Sequence, residues 1–210
     1  ARKVNVDATR ALARLCGGAR SRLVFLSTDL VFDGAGSWYD EDAAPRPLSV
    51  YGKGKLEAEE AALTLCPGAV ALRVSSCYGR PLGGRTCFVD HLQASLSAGK
   101  PIDGFTDQWR TSTNADQLPE VIRRILADPD LEGVFHWGGA DRASRYETAV
   151  AFARALGFDE SLVRPGSAAG KSFLAPRPRD VSLDSGRLAA AIGLAPTGLK
   201  EGFAALKGLW

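Results

Sequence analysis

Residues 23 to 55 constrain this chain more than any other stretch. An apolar run, Leu23-Val24-Phe25-Leu26, stops at Ser27-Thr28-Asp29. A polar loop containing Pro45 and Pro47 follows, and Tyr51-Gly52-Lys53-Gly54-Lys55 then opens a helical pattern. A short apolar run ending in small hydroxyl residues predicts a buried parallel strand with its carboxyl end exposed. Open α/β sheets bind their ligands outside the carboxyl ends of such strands. Tyr51 and Lys55 are four apart, so on a helix they share one face. An ammonium beside a phenol favours the phenolate, which suits proton transfer near neutral pH. Thr28, at the strand end, is placed to hydrogen-bond the oxygen that receives the proton. A Tyr-x-x-x-Lys spacing alone is common by chance; its weight here comes from the order of strand end, loop and helix.

The flanking segments extend an alternating strand and helix pattern. Val4, Ala8, Leu12 and Leu15 recur at helical spacing and predict an amphipathic helix over residues 4–16. Leu56, Ala58, Ala62, Leu63 and Leu65 continue the helix opened at Tyr51, and Pro67-Gly68 ends it. Ala69 to Ser76 reads as the next buried strand. Residues 77–84 begin a long excursion, 86–98 read as a helix ended by Gly99, and another helix starts at about Ala115. It carries Leu118, Val121, Ile122, Ile125 and Leu126. Gly133 to Trp137 is a strand, and Ser144 with Glu147 has the spacing of a capping box at a helix start. Trp38-Tyr39 with Asp40, Glu41 and Asp42 reads as a patch covering the edge of the site.

Composition excludes several function classes. Hydrophobic residues make up 45% and charged residues 24% of the 210 positions, ordinary for a globular chain. A net charge of +2 gives no argument for a nucleic-acid partner or an acidic membrane. No apolar run approaches the roughly 20 residues that span a bilayer. Cys16, Cys66, Cys77 and Cys87 form no C-x-x-C pair and have no histidine cluster beside them, so no zinc site is expected. They read as small buried hydrophobes in a reducing, cytoplasmic setting. His91 reads as an exposed helical residue and His136 as a packed one within a strand.

"STDLVFDG", "APRPLSVYGKGKLEAE" and "ALRVSSCYG", in this order, resemble the extended short-chain dehydrogenase/reductases. Within them the likeness is to the dTDP-4-dehydrorhamnose reductase group, which also contains the regulatory beta subunit of methionine adenosyltransferase. It runs over nearly the whole chain, to "APRPRDVSLDSGRL". Phe135-His136-Trp137 followed by glycine looks more like that beta subunit. Cys77, where sugar reductases often carry an aromatic, points away from rhamnose-type sugars.

The resemblance implies an α/β fold: the carboxyl-terminal part of a Rossmann-type parallel sheet with a small substrate-binding lobe. Residues 1–80 would belong to the dinucleotide-binding domain and 81–210 mainly to the lobe, with about 104–140 returning to the sheet. The glycine-rich phosphate turn of that domain is not in the sequence; Gly34 and Gly36 follow a different strand. With Ala1 first and no methionine in the chain, an amino-terminal truncation is expected. The implied activity is NAD(P)H-dependent reduction of a nucleotide-linked keto sugar, with NADP(H) or NAD(H) as cofactor. Thr28, Tyr51 and Lys55 would be catalytic; Tyr51, Lys55, Ser75 and Ser76 would contact the cofactor; Asp29, Arg177 and Arg179 would contact the substrate. For the two arginines a phosphate clamp and a solvated loop remain open, as do a site role and a capping role for Asn5. The alternative is a regulatory subunit whose partner is a methionine adenosyltransferase catalytic subunit. A homodimer is among the expected assemblies.

Overall fold

The computed structural model describes residues 2–79, 87–173 and 175–209. A π-helical turn, Lys3–Asp7, runs into helix α1 (Ala8–Gly18). Strand β1 (Val24–Thr28) follows, then the loop and helix α2 (Val50–Leu65), then β2 (Val70–Val74) and the short β3 (Cys77–Tyr78). Helix α3 spans Phe88–Ser97. Strands β4 (Ile102–Phe105), β5 (Trp109–Arg110) and β6 (Thr113–Asn114) precede α4 (Leu118–Ala127). Strands β7 (Gly133–Trp137) and β8 (Ala143–Ser144), helix α5 (Arg145–Leu156) and strand β9 (Val163–Gly166) come next. Helices α6 (Gly186–Ile192) and α7 (Leu199–Ala204) complete the order. Of the excursion expected to begin at residues 77–84, residues 80–84 lie outside the described residues.

The sheet order is β1-β2-β7, all parallel, with Thr28 level with Val74 and Val74 level with Trp137. Three two-stranded pairs surround it: β3 with β6, β4 with β9, and β5 with β8. One core packs Val70, Leu72, Phe135 and Trp137 of the sheet against Val121 and Ile125 of α4 and Leu188 of α6. A second packs Val89 and Leu92 of α3 against Phe152 of α5 and Phe203 of α7. No helix among the described residues is long and apolar enough to cross a membrane.

Two expectations about burial are reversed. Leu26 of β1 is 41% exposed, while Ser27 and Thr28 at the polar end are buried. Among the described residues β1 pairs only with β2, so it is an edge strand with an open side. Likewise Val4 of the π-helical turn and Leu12 and Leu15 of α1, the expected apolar stripe, are exposed, and Val6, Thr9 and Ala13 are buried instead. Helix α1 approaches the end of α2 so closely that a Cβ at Gly17 would strike the Leu65 carbonyl oxygen. Only small side chains fit that contact, so the larger ones point outward. On α4, Val121 and Ile125 are buried but Leu126 is exposed.

Local chemistry sets the start of two helices that matter below. Ser49 caps α2, accepting the Gly52 N–H at 3.0 Å. A Cβ at Gly52 would run into the Leu30 carbonyl oxygen, so glycine lets the first turn of α2 lie against the end of β1. Ser144 accepts the Glu147 N–H at 3.1 Å while Glu147 accepts the Ser144 N–H at 2.7 Å, a complete capping box.

Candidate active site

The cleft lies at the carboxyl ends of β1 and β2. The chain leaves β1 in a tight turn, Asp29–Val31, held by Thr28 Oγ1 accepting the Leu30 N–H at 3.2 Å. Gly52 brings the second residue of α2, Tyr51, over this turn. The resulting hollow of about 300 Å³ is lined by Thr28, Asp29, Tyr51, Ser75, Ser76, Cys77, Arg110 and Arg145, among others. Thr28, Asp29, Tyr51, Ser75 and Ser76 therefore meet at one place.

Asp29 is the hub. It is buried, its Oδ1 accepts from Thr28 Oγ1 at 3.2 Å, and its Oδ2 accepts from Ser75 Oγ at 3.0 Å. Arg110 Nε lies 3.6 Å from Oδ2. Burial pushes the Asp29 carboxyl up, and Arg110, the two hydroxyls and Arg145 only partly oppose it. The carboxylate is thus engaged with the protein, and it orders the cleft through Thr28 and Ser75.

Tyr51 is half-exposed, and its side chain lines the cleft together with Thr28. Its pKa is raised, first by burial and then by the Asp29 charge, with Thr28 opposing. This reverses the expected effect of Lys55. The Lys55 ammonium is turned to the strand, where it donates to the Leu26 carbonyl and lies 4.0 Å from the centre of the Phe25 ring. Burial lowers its own pKa. Tyr51 therefore holds its proton at neutral pH.

The remaining candidates fall in different places. Arg177 lines a second hollow of about 650 Å³ that adjoins the first and shares Leu30, Tyr51 and Arg145 with it. Arg179 lines a third, with Asp107, Gln108 and Lys171, away from Tyr51. Ser75 is buried and committed to Asp29, whereas Ser76 accepts from Arg145 Nη2 at 3.4 Å. Asn5 lines a hollow with Arg2, Val50 and Lys53, outside the cleft. Of the four cysteines expected to be buried only Cys66 is; Cys16 and Cys87 are half-buried and Cys77 is exposed in the cleft, where desolvation and the Asp29 charge push its thiol up to about 11, so it remains protonated. All four cysteines are free, and the described residues contain no group of His, Cys, Asp and Glu that could hold a metal.

Sequence reasoning missed Arg110 and Arg145, the two cations beside Asp29. It also missed Ser27, whose buried Oγ has no hydrogen-bond partner among the described residues although it lines the cleft. No motif marks these positions. The one hint for Arg145 is its place directly after the capping residue Ser144, which sets its side chain at a helix start.

The family model for the RmlD substrate binding domain matches residues 1–207. The chain belongs to the RmlD substrate binding domain family. Bovine methionine adenosyltransferase 2 subunit beta is 34% identical over 198 residues, covering 90% of this chain and 58% of that protein. This chain thus spans less than three fifths of the length of that curated relative. Among solved structures, a dTDP-4-dehydrorhamnose reductase from Clostridium acetobutylicum superposes with a TM-score of 0.88 at 26% identity, over 98% of this chain and 71% of the other. MoeE5, solved in complex with UDP-glucose and NAD, superposes with a TM-score of 0.77 at 28% identity, over 95% and 68%. The mixed α/β architecture with its parallel sheet is that of these RmlD-like proteins.

Proposed function

We propose that this RmlD-family chain carries the proton-donating site of an NAD(P)H-dependent reductase of the dTDP-4-dehydrorhamnose reductase type, acting on a nucleotide-linked keto sugar. One observation carries the reading: at the end of β1, Thr28, held by Asp29, and the Tyr51 phenol line one cleft. A carbonyl oxygen seated against both hydroxyls gains negative charge as its carbon is reduced. Thr28 orients that oxygen, and Tyr51 gives it a proton. Asp29 fixes Thr28, and its negative charge helps keep the phenol protonated until the stronger base forms.

The residues present suit one end of the cofactor. The orphaned Ser27 hydroxyl lines the cleft, and the Lys55 ammonium of α2 donates to the carbonyl of the preceding residue, Leu26. With Tyr51 they would hold the nicotinamide and its ribose, and NAD(P)H would supply the hydride. Ser75 is already given to Asp29, so only Ser76 of the expected pair has a side chain to offer. The glycine-rich turn that receives a pyrophosphate has no counterpart in these 210 residues.

A second reading is a regulatory subunit of methionine adenosyltransferase, favoured by the 34% identity to the bovine beta subunit. Phe135, His136 and Trp137 do not help to choose. All three are buried in the sheet core, where they pack the fold and offer no surface to a partner.

Steady-state NAD(P)H oxidation with dTDP-4-dehydrorhamnose, measured on the natural full-length product and its Tyr51→Phe variant, tests the assignment. The variant is expected to lose roughly 10²–10⁴-fold in turnover, the usual contribution of a general acid, with little change in cofactor affinity. Undiminished turnover in Tyr51→Phe would remove Tyr51 from the mechanism. A parent that reduces nothing but binds a methionine adenosyltransferase catalytic subunit at about 10 μM, roughly −7 kcal/mol, would establish the second reading instead.

A further inference from the structure

Three hollows run in series from the reacting corner. The first holds Thr28 and Tyr51, and the wider one shares Leu30, Tyr51 and Arg145 with it. The third, of about 420 Å³, shares Phe173 and Arg177 with the wider one. A nucleotide-linked sugar has the same serial order of sugar, diphosphate and nucleoside. With the reacting carbonyl at Thr28 and Tyr51, the diphosphate falls in the wider hollow, where Arg145 and Arg177 both line the wall and can meet its charge. The nucleoside then falls in the third.

The third hollow is lined by a polar side chain with no partner in the fold. Gln108 is 4% exposed, and its backbone carbonyl accepts the Arg145 N–H at 3.0 Å, which fixes it beside the start of α5. Its carboxamide makes no hydrogen bond among the described residues, nor is it sealed from solvent as the unpaired Ser27 Oγ is, so it opens onto the hollow. A buried amide left unpaired is costly, and a ligand that pairs with it removes that cost. The neighbouring Asp107 is committed to the protein. It accepts from Ser167 Oγ at 2.5 Å, from the Ala168 N–H at 2.9 Å and from the Ala169 N–H at 3.2 Å. These bonds anchor the segment that leads to Phe173, whose ring stands at the wall of the hollow, 6.1 Å from the Phe105 ring centre in an edge-on contact.

We propose that Gln108 reads the nucleobase of the substrate, pairing its carboxamide with the adjacent N–H and C=O groups on the edge of a uracil or thymine ring while Phe173 gives that ring an apolar wall. This deepens the reductase reading above, on which it rests, by assigning the side chain that selects the base. A carboxamide presents one acceptor beside two donor hydrogens. In thymine and uracil the N3–H lies beside a ring carbonyl, which is the complementary pattern. A site built to bond an N–H rejects an analogue that lacks it, because its own polar group is then left unpaired.

Calorimetric titration of the 210-residue chain with UDP, with N3-methyl-UDP and with inorganic pyrophosphate tests this. The two nucleotides share ribose, diphosphate and ring, and differ only at the N3–H. UDP is expected to bind at least tenfold tighter than its methylated form, about 1.4 kcal/mol, and tighter than pyrophosphate. Gln108→Met, which keeps the length of the side chain, should bring the two nucleotides within twofold by weakening UDP alone. Phe173→Leu should weaken both nucleotides and spare pyrophosphate. Equal binding of the two nucleotides by the parent, UDP no tighter than pyrophosphate, or a preference that survives in a folded Gln108→Met variant would overturn the inference and leave the reductase reading standing. If Gln108→Met does not fold, the parent's ratio and the Phe173→Leu arm still decide, and UDP binding unchanged in Phe173→Leu would overturn it. Binding of none of the three probes at roughly 5 mM would overturn both.

Discussion

Two buried charge systems flank α2, and they are built on opposite plans. Arg73 of β2 grips Glu59 of α2 with two N–H groups, Nε reaching Oε2 at 3.1 Å. A third N–H meets His136 Nε2 at 3.3 Å, and the guanidinium lies 5.3 Å from the centre of the Phe32 ring. One cation faces one anion, and both side chains are about 4% exposed or less. At the other end of the helix, Asp29, Arg110 and Arg145 hold an excess of positive charge against an open cleft. The first system is closed and balanced; the second is open and unbalanced. Tyr51, Lys55 and Glu59 follow one another at intervals of four, so a single helix face joins the two. The closed pair fixes the rotation of α2 against the sheet, and that rotation sets Tyr51 over Thr28. Buried charge is therefore a poor marker of function by itself; an imbalance that faces a cavity is the better one.

The closed system should be the harder to break. Glu59→Gln leaves Arg73 buried without its counter-charge. The expected cost is about 3–5 kcal/mol, the usual penalty for removing one partner of a buried pair. Replacing both, Arg73→Met with Glu59→Leu, should recover most of that loss, because neither charge is then stranded. Urea unfolding of the three proteins measures it. A cost for Glu59→Gln below about 1 kcal/mol would mean that the pair does not anchor the helix.

Acid should open the same system next. Arg73 can only donate, so His136 Nε2 accepts, and Nδ1 carries the proton that it donates to the Tyr39 carbonyl at 2.9 Å. Burial and the Arg73 charge lower the His136 pKa to about 4. The unfolded chain, with histidine near 6.5, binds that proton more readily. The stability linked to His136 is whole above about pH 6.5 and is lost as pH falls toward 4, about 3 kcal/mol in all. Asp29 and Glu41 act oppositely, since burial raises both carboxyls and falling pH favours their folded, protonated forms. The quantity to compare is thus the difference in pH slope between the parent and His136→Gln. Equal slopes between pH 6.5 and 4 would show that His136 is not the group responsible.

How legible each system is in the sequence follows from how its residues are spaced. Thr28 and Asp29 end one apolar run, and Tyr51 and Lys55 open the next helix, so local pattern is enough to find them. Ser144 and Glu147 are legible for the same reason, since a capping box is written in four consecutive residues. Arg110 and Arg145 come from distant segments and reach Asp29 only through the pairing of β5 with β8. The sequence contains no local reason to choose them over Arg177 or Arg179, which form part of a basic loop. Helical spacing identified α1 but assigned the wrong face to the interior. Periodicity reports which residues share a side, and the close approach at Gly17 decides which side is buried. The direction of the Lys55 effect was not readable either, because it depends on the ammonium finding the Leu26 carbonyl instead of the phenol.

The smallest expected effect draws the sharpest line between the two systems. Arg145→Met removes a 3.4 Å contact to Ser76 and a guanidinium packed against Phe88. The second of these contributes about 0.5–1 kcal/mol at a partly exposed site. The substitution also removes a poorly solvated cation from the field of Arg110 and Arg177, which offsets the loss. Methionine suits the first turn of a helix, and its flexible side chain can fill the space left behind. The net change in unfolding free energy should therefore stay within about 1 kcal/mol of the parent, whereas Arg73→Met in the closed system should cost about 3–5 kcal/mol. Urea unfolding of these two single variants, side by side, is the measurement. A loss above about 2 kcal/mol for Arg145→Met would place Arg145 in the same structural class as Arg73. The excess charge at the cleft would then be a consequence of how the fold is held together, and the argument that it awaits an anion would lose its footing.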